Sequence, residues 1–166
     1  MKVNIALLTV TDTRTLDTDK SGNILVKKFE ESNHQLIDRK ICKDNKEDIK
    51  KILINWTKKK EIDVIITTGG TGLTGRDITP EALDEIADKH IPGFGEVFRN
   101  ISLETVGTSS IQSRACAILA NGKYIFALPG SSGGVSDAWD KILIYQLDIN
   151  HKPCNFVELF PRLKEK

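Results

Sequence analysis

The chain has 166 residues, and its 24 Lys and Arg against 23 Asp and Glu leave a formal net charge of +1 at pH 7. That length predicts one domain over 1–166, and near-balanced charge without a basic block interleaved with aromatics argues against a nucleic-acid partner. No apolar run reaches the roughly 20 residues of a membrane span, and Cys42, Cys116 and Cys154, with no Cys-x-x-Cys, fit the reduced thiols of a cytoplasmic protein.

In chain order, Ile5–Val10 reads as a buried first strand, a better reading than a signal peptide because Thr11-Asp12 follows at once. A polar loop leads to a helix over Asn23–Ser32, with Ile24, Leu25 and Phe29 on one face, and then to a strand at Gln35–Ile41. Ile49, Ile52, Leu53 and Trp56 recur at helical spacing with lysines and acids opposite, the clearest helix in the sequence. Val64–Thr67 is a β-branched strand, followed by a helix from Pro80 to about Asp88 and, after Ile91-Pro92-Gly93, another over Glu96–Leu103. Asn121-Gly122 between the apolar runs Ala115–Ala120 and Lys123–Leu128 is a strong hairpin signal. A last helix carries Val135, Ala138, Trp139, Ile142 and Leu143, and His151–Lys166, with two prolines, reads as an extended tail. Strands alternating with helices predict an α/β protein: a three-layer αβα sandwich, its sheet mostly parallel with one antiparallel hairpin.

The most informative segment is Thr67–Ala82. A strand, then Gly69-Gly70-Thr71-Gly72 and Gly75, then Arg76-Asp77 and the helix start Thr79-Pro80-Glu81 place a glycine loop at a strand's C-terminal end. Such a loop offers backbone N–H groups to an anion, Arg76 offers a planar fork for phosphate, and Asp77 can hold a hard cation that phosphates share. The match to Gly-x-Gly-x-x-Gly at 70–75 does not make a dinucleotide site, because the helix starts after the motif and not within it. A Walker A sequence is absent. Gly130-Ser131-Ser132-Gly133-Gly134 has the form of a hydrolase elbow, but His151 is its one downstream histidine and no oxyanion loop precedes it; a second anion-binding turn is the better reading. Asp12, Asp19, Asp44 and Asp77 each follow a strand, where a cap or turn is the ordinary role of aspartate; capping is favoured for the first three and function for Asp77.

These pieces together resemble the MoaB/MogA molybdopterin-binding family of molybdenum cofactor biosynthesis. The likeness runs through Leu8-Thr9-Val10, Asp19 with Ser21-Gly22, Gly69–Gly72, Arg76-Asp77, Thr79–Ala82 and Gly93–Arg99. It continues in Gln112–Ala115, Pro129-Gly130-Ser131 and Pro153–Phe156. The resemblance implies a cytoplasmic homo-oligomer, trimer or hexamer, that binds molybdopterin. In catalytic members ATP and Mg2+ adenylylate the pterin's terminal phosphate, which makes them molybdopterin adenylyltransferases. By the same resemblance Asp44 and Asp77 are the magnesium-associated catalytic aspartates. Gly69, Gly70, Thr71, Gly72 and Arg76 hold phosphate, and Ser113 with Gly130, Ser131 and Ser132 meets the pterin ligand. The second loop lacks the lysine or Pro-Gly-Asn-Pro of many transferase members, and the tail resembles the MoaB branch, so a non-catalytic molybdopterin-binding or carrier protein is the alternative.

Overall fold

The computed structural model describes residues 1–165. β1 (Asn4–Val10) is buried along both faces, as expected of a central parallel strand rich in Ile, Leu and Val. It pairs in parallel with β2 (Gln35–Cys42) on one side and β3 (Val64–Thr68) on the other, and β3 pairs in parallel with β6 (Lys123–Leu128). β5 (Cys116–Ala120) runs antiparallel to β6, and the two-residue β4 (Lys89–His90) closes the far edge, giving the order β2-β1-β3-β6-β5-β4. Asn121 and Gly122 both take positive φ (48° and 72°), the backbone of the tight turn that their pairing predicts.

Helices cover both faces, so the expected αβα sandwich is what forms. On one face Leu25 and Phe29 of α1 (Lys20–Glu31), Phe94 and Phe98 of α4 (Pro92–Val106) and Val135 of α5 (Ser132–Ala138) pack on Leu7, Ile66 and Phe126. On the other, Ile49, Leu53 and Trp56 of α2 (Lys46–Lys58) and Leu83 of α3 (Thr79–Asp84) pack on Leu8, Ile65 and Ile125. Because α1 and α2 cross on opposite faces, the chain reverses its winding between β1 and β3. In such sheets the crevice beyond the carboxyl ends of those strands is where ligands bind.

Several boundaries differ from the sequence reading. α1 begins at Lys20, three residues early, because Asp19 caps it, its carboxylate accepting the Gly22 N–H at 2.9 Å. α4 begins at Pro92, where the ring's fixed φ suits a first helical position, so the Pro-Gly pair starts this helix and does not break it. α3 runs from Thr79, whose hydroxyl donates to the Gly69 carbonyl at 2.9 Å, to Asp84, short of the expected Asp88. After α5 the helix widens to a π-turn at Trp139–Leu143 and ends in α6 (Ile144–Gln146). The tail is not extended throughout: Val157–Arg162 winds into 3-10 turns, and Phe156 and Phe160 pack against Tyr124 with ring centroids 4.7 and 5.9 Å away.

Candidate functional site

Three segments leave the sheet at the same edge. After Val10 the chain enters Thr11-Asp12, after Thr68 the glycine loop, and after Leu128 the Pro129–Gly130 turn. The turn is fixed to its neighbours: the Gly69 N–H donates to Leu128 O at 3.0 Å, the Thr68 hydroxyl to Pro129 O at 2.8 Å, and the Ser21 hydroxyl to Gly130 O at 2.7 Å. Gly69 has φ +98°, and a Cβ there would lie 2.2 Å from the Val10 carbonyl oxygen, so no other residue fits without moving the β1 backbone.

The glycine loop turns its carbonyls inward. Gly69 O accepts from the Thr79 hydroxyl, Gly70 O from the Thr79 N–H at 3.0 Å, and Thr71 O from the Arg114 N–H at 3.0 Å. The Arg114 guanidinium takes two more, with Nε on Gly72 O at 2.7 Å and Nη2 on Asp77 O at 2.9 Å, while Nη1 pairs with Glu81. Among the described residues the Gly70 and Thr71 N–H groups have no protein partner. A loop with these acceptors tied down and two adjacent donors free is suited to an anion.

The loop borders a cleft of about 860 Å3. Gly69, Gly70, Thr71, Gly72, Asp77, Ser113, Gly130 and Ser131 all line it, so most of the residues expected at the site meet around one space. Phe98 and Val106 supply an apolar wall from α4, and Thr105, Gln112 and Asp137 add polar groups. Ser132 faces a second cleft across the Gly69–Gly130 ridge. Arg76 and Asp44 are not among the lining residues of either. Arg76 is largely exposed and ion-paired with Asp12. Asp44 lies behind Gly70, where a Cβ on that glycine would come within 3.1 Å of its carboxylate.

Burial raises the Asp44 carboxyl above its ordinary value, and the charges of Asp12 and Asp77 push it further up against the opposing pull of Arg76. Asp77 shifts the other way. Its partial burial works against ionisation, but hydrogen bonds from the Thr74 hydroxyl and N–H, at 2.7 and 2.9 Å, outweigh that and hold it below the usual range. Asp77 therefore combines a turn-forming role with an ionised carboxylate at the cleft. Asp19 is spent as a cap: 2% exposed, it accepts the Thr9 hydroxyl at 2.6 Å and Arg39 at 2.9 Å. Breaking such a buried pair costs about 3–5 kcal/mol, so Asp19 is no free ligand.

A residue without an assigned role in the sequence is Arg114. Its neighbour Ser113 carries the expectation, yet Arg114 fastens the loop, and Arg99 in turn donates to the carbonyls on either side of it, Ser113 O at 3.3 Å and Ala115 O at 3.1 Å. The density of loop carbonyls was the available signal, but their partner lies some forty residues downstream.

The family model described as "Probable molybdopterin binding domain" matches residues 6–149, a span that contains both clefts. The chain belongs to the molybdopterin-binding domain family of molybdenum cofactor biosynthesis. Within that family it is 44% identical over 161 residues to molybdenum cofactor biosynthesis protein B of Escherichia coli strain K12, covering 97% of this chain and 93% of that one. It is 38% identical over 146 residues to the protein of the same name from Bacillus subtilis strain 168, covering 87% and 86%. A crystal structure of a molybdenum cofactor biosynthesis protein B superposes with a TM-score of 0.90 at 38% identity over 100% of this chain and 98% of that one. The tungsten cofactor synthesizing protein MoaB from Pyrococcus furiosus superposes at 0.76 and 33% identity over 86% and 91%.

Proposed function

We propose that the chain binds molybdopterin in the 860 Å3 cleft and transfers an adenylyl group from magnesium-ATP to the pterin's terminal phosphate. The observation that carries this reading is the glycine loop with free N–H donors set beside mutually repelling carboxylates. Burial lifts the Asp44 carboxyl most, and the neighbouring charges of Asp12 and Asp77 lift it further; a divalent cation would relieve that second part. Among the described residues no group of three or more acidic, His or Cys side chains forms a metal cage, and magnesium characteristically takes one or two carboxylates with the rest from phosphate and water. Asp44 and Asp77 would hold it, and it would supply charge for the phosphates during transfer.

The remaining work falls to the chain. Gly70 and Thr71 N–H groups bind phosphate oxygen, Arg114 keeps those donors aimed, and Phe98 and Val106 offer an apolar wall to the flat pterin. The attacking phosphate is already ionised at neutral pH, so no strong base is required, and orientation with charge stabilisation carries the rate. The test is direct: purified protein, molybdopterin, labelled ATP and Mg2+ should yield adenylylated pterin and pyrophosphate in equal amounts.

One observation favours a second reading, binding without transfer. Among the described residues the lining of the large cleft contains no Lys or Arg, and Arg76 is held by Asp12. Tight molybdopterin binding with no adenylylated product would establish that alternative. For assembly we propose a homo-oligomer, trimer or hexamer. Phe94 and Phe98 of α4 are in the core, but Val97, Leu103, Val106 and Ile111 remain 48%, 51%, 55% and 78% exposed on and just after that helix. Light scattering should give a mass of three or six chains; a stable monomer at micromolar concentration would reject it.

A further inference from the structure

A separate pocket of about 440 Å3 opens where the start of α4 meets the π-turn, α6 and the tail, and it shares no lining residue with either cleft at the sheet edge. Its volume falls within the roughly 300–1,000 Å3 of small-molecule sites. Phe94 and Ile142 are its buried members, 4% and 7% exposed, while Val97 and Tyr145 are 48% and 51% exposed. The rings of Phe94, Tyr145, His151 and Phe156 border it, with the Tyr145 and His151 centroids 5.5 Å apart. A wall of rings favours a planar, apolar body.

The polar part of the lining has one sign of charge. Among the described residues Lys141 is its cation, and no Asp or Glu joins it. The Gln146 amide, the Tyr145 hydroxyl and the His151 ring make no hydrogen bond among the described residues, so donors stand beside the ammonium. Lys141 has one partner, Asp137, four residues earlier at 3.1 Å, with the two side chains 39% and 21% exposed. An ion pair so open to water contributes at most about 1 kcal/mol, so a ligand anion can take over the ammonium with little loss. Asp137 keeps a second contact, from the Thr105 hydroxyl at 3.2 Å, and is not stranded when Lys141 turns away. Lys141 and Ile142 belong to the π-turn at Trp139–Leu143, an irregularity frequent at functional sites.

We propose that this pocket binds an aromatic monoanion, its ring against Phe94, Val97, Ile142 and Phe156 and its carboxylate or sulfonate on Lys141. Binding replaces the Lys141–Asp137 pair with a Lys141–ligand pair, so the Asp137 carboxylate competes with the ligand for the ammonium. The site is complete without the large cleft and depends on neither pterin binding nor transfer. The occupant is a small molecule and not a second copy of the chain, because the pocket is cationic. The exposed Leu103, Val106 and Ile111, assigned above to assembly, lie toward or beyond the other end of α4 and do not line it.

The test is fluorescence titration of the intact protein with anilinonaphthalene sulfonate, an aromatic monoanion of the proposed class, with the melting midpoint of each variant as the check on folding. The wild type should show one saturable site per chain. Lys141→Gln removes a charge-assisted contact and should weaken the probe by about five- to tenfold. Asp137→Asn removes the competing carboxylate and should tighten it by about two- to fivefold. Val97→Glu places an acid at an exposed position of this pocket alone and should weaken the probe by about tenfold or more. Molybdopterin should not displace the probe. Displacement by molybdopterin would put the probe in the large cleft and overturn the inference. So would affinity unaltered by Lys141→Gln or by Val97→Glu, or affinity not raised by Asp137→Asn. Absence of saturable binding to the folded wild type would show the pocket covered by a second copy or closed to this class, and overturns it as well.

Discussion

At the scale of single residues, Asp77 carries the sharpest expectation. Its Oδ2 is occupied by two donors from Thr74, a turn role that asparagine can reproduce. Asp77→Asn should fold and bind molybdopterin normally but lose roughly a hundredfold or more of any adenylyl transfer, as electrostatic groups in active sites do. Equal magnesium-dependent transfer by variant and wild type would make Asp77 structural. Asp44 gives a complementary test, read in stability. Its carboxyl is raised in the folded protein, so its charge disfavours folding at neutral pH, and that cost disappears as pH falls through the raised titration to below the ordinary 3.8. Asp44→Asn in the metal-free protein should therefore raise the melting midpoint near pH 7, with the gain fading in acid. Asp19 shows what was legible at this scale, since a helix cap is a local pattern and the aspartate fulfils it. Arg76 shows what was not: its partner, Asp12, lies far earlier in the chain, beyond any local rule.

At the scale of elements, local turn chemistry was readable and long-range fastening was not. Asn121-Gly122 gives its hairpin because two consecutive positive-φ positions are a property of the dipeptide itself. The start of α4 was misread because Pro-Gly has two local meanings, breaker and first turn, and the choice between them depends on what Phe94 and Phe98 bury against. β4 has two residues and no pattern to find. The glycine loop was legible as a loop, but its shape depends on Arg114 reaching back to Gly72 O, Asp77 O and Glu81. A lysine there keeps the charge but cannot spread three donors in a plane. Arg114→Lys should cost about 1–3 kcal/mol in chemical denaturation, the range for stranded polar groups, and should weaken molybdopterin binding. Arg76→Lys, at an exposed pair, should change stability by less than about 1 kcal/mol. Equal losses would remove Arg114 from its role.

At the scale of the whole molecule, the two-faced α/β architecture follows from the alternation of strands and helices, and one buried histidine makes its stability sensitive to acid. The His34 Nδ1 accepts the Val3 N–H at 3.2 Å, and burial, with the N-terminal ammonium, lowers its pKa from 6.5 against the weaker pull of Asp148. A depressed histidine stabilises the fold above its unfolded pKa, and that contribution is lost as pH falls through the folded value. Melting midpoints should thus decline below pH 6.5, and His34→Gln, whose amide oxygen can still accept from Val3, should flatten the decline. Parallel slopes in the two proteins would place the acid sensitivity elsewhere. The sheet's two borders bear on a different hazard. β2, on one border, carries Asp38-Arg39-Lys40 in sequence and a bulge opposite Ile5–Ala6, and β4, on the other, is two residues long. A charged, kinked border and a truncated one are poor templates for a stray strand from another chain. Crowded or partly unfolded copies are thereby steered away from pairing edge to edge, and an ordered assembly is left to the surfaces outside the sheet borders.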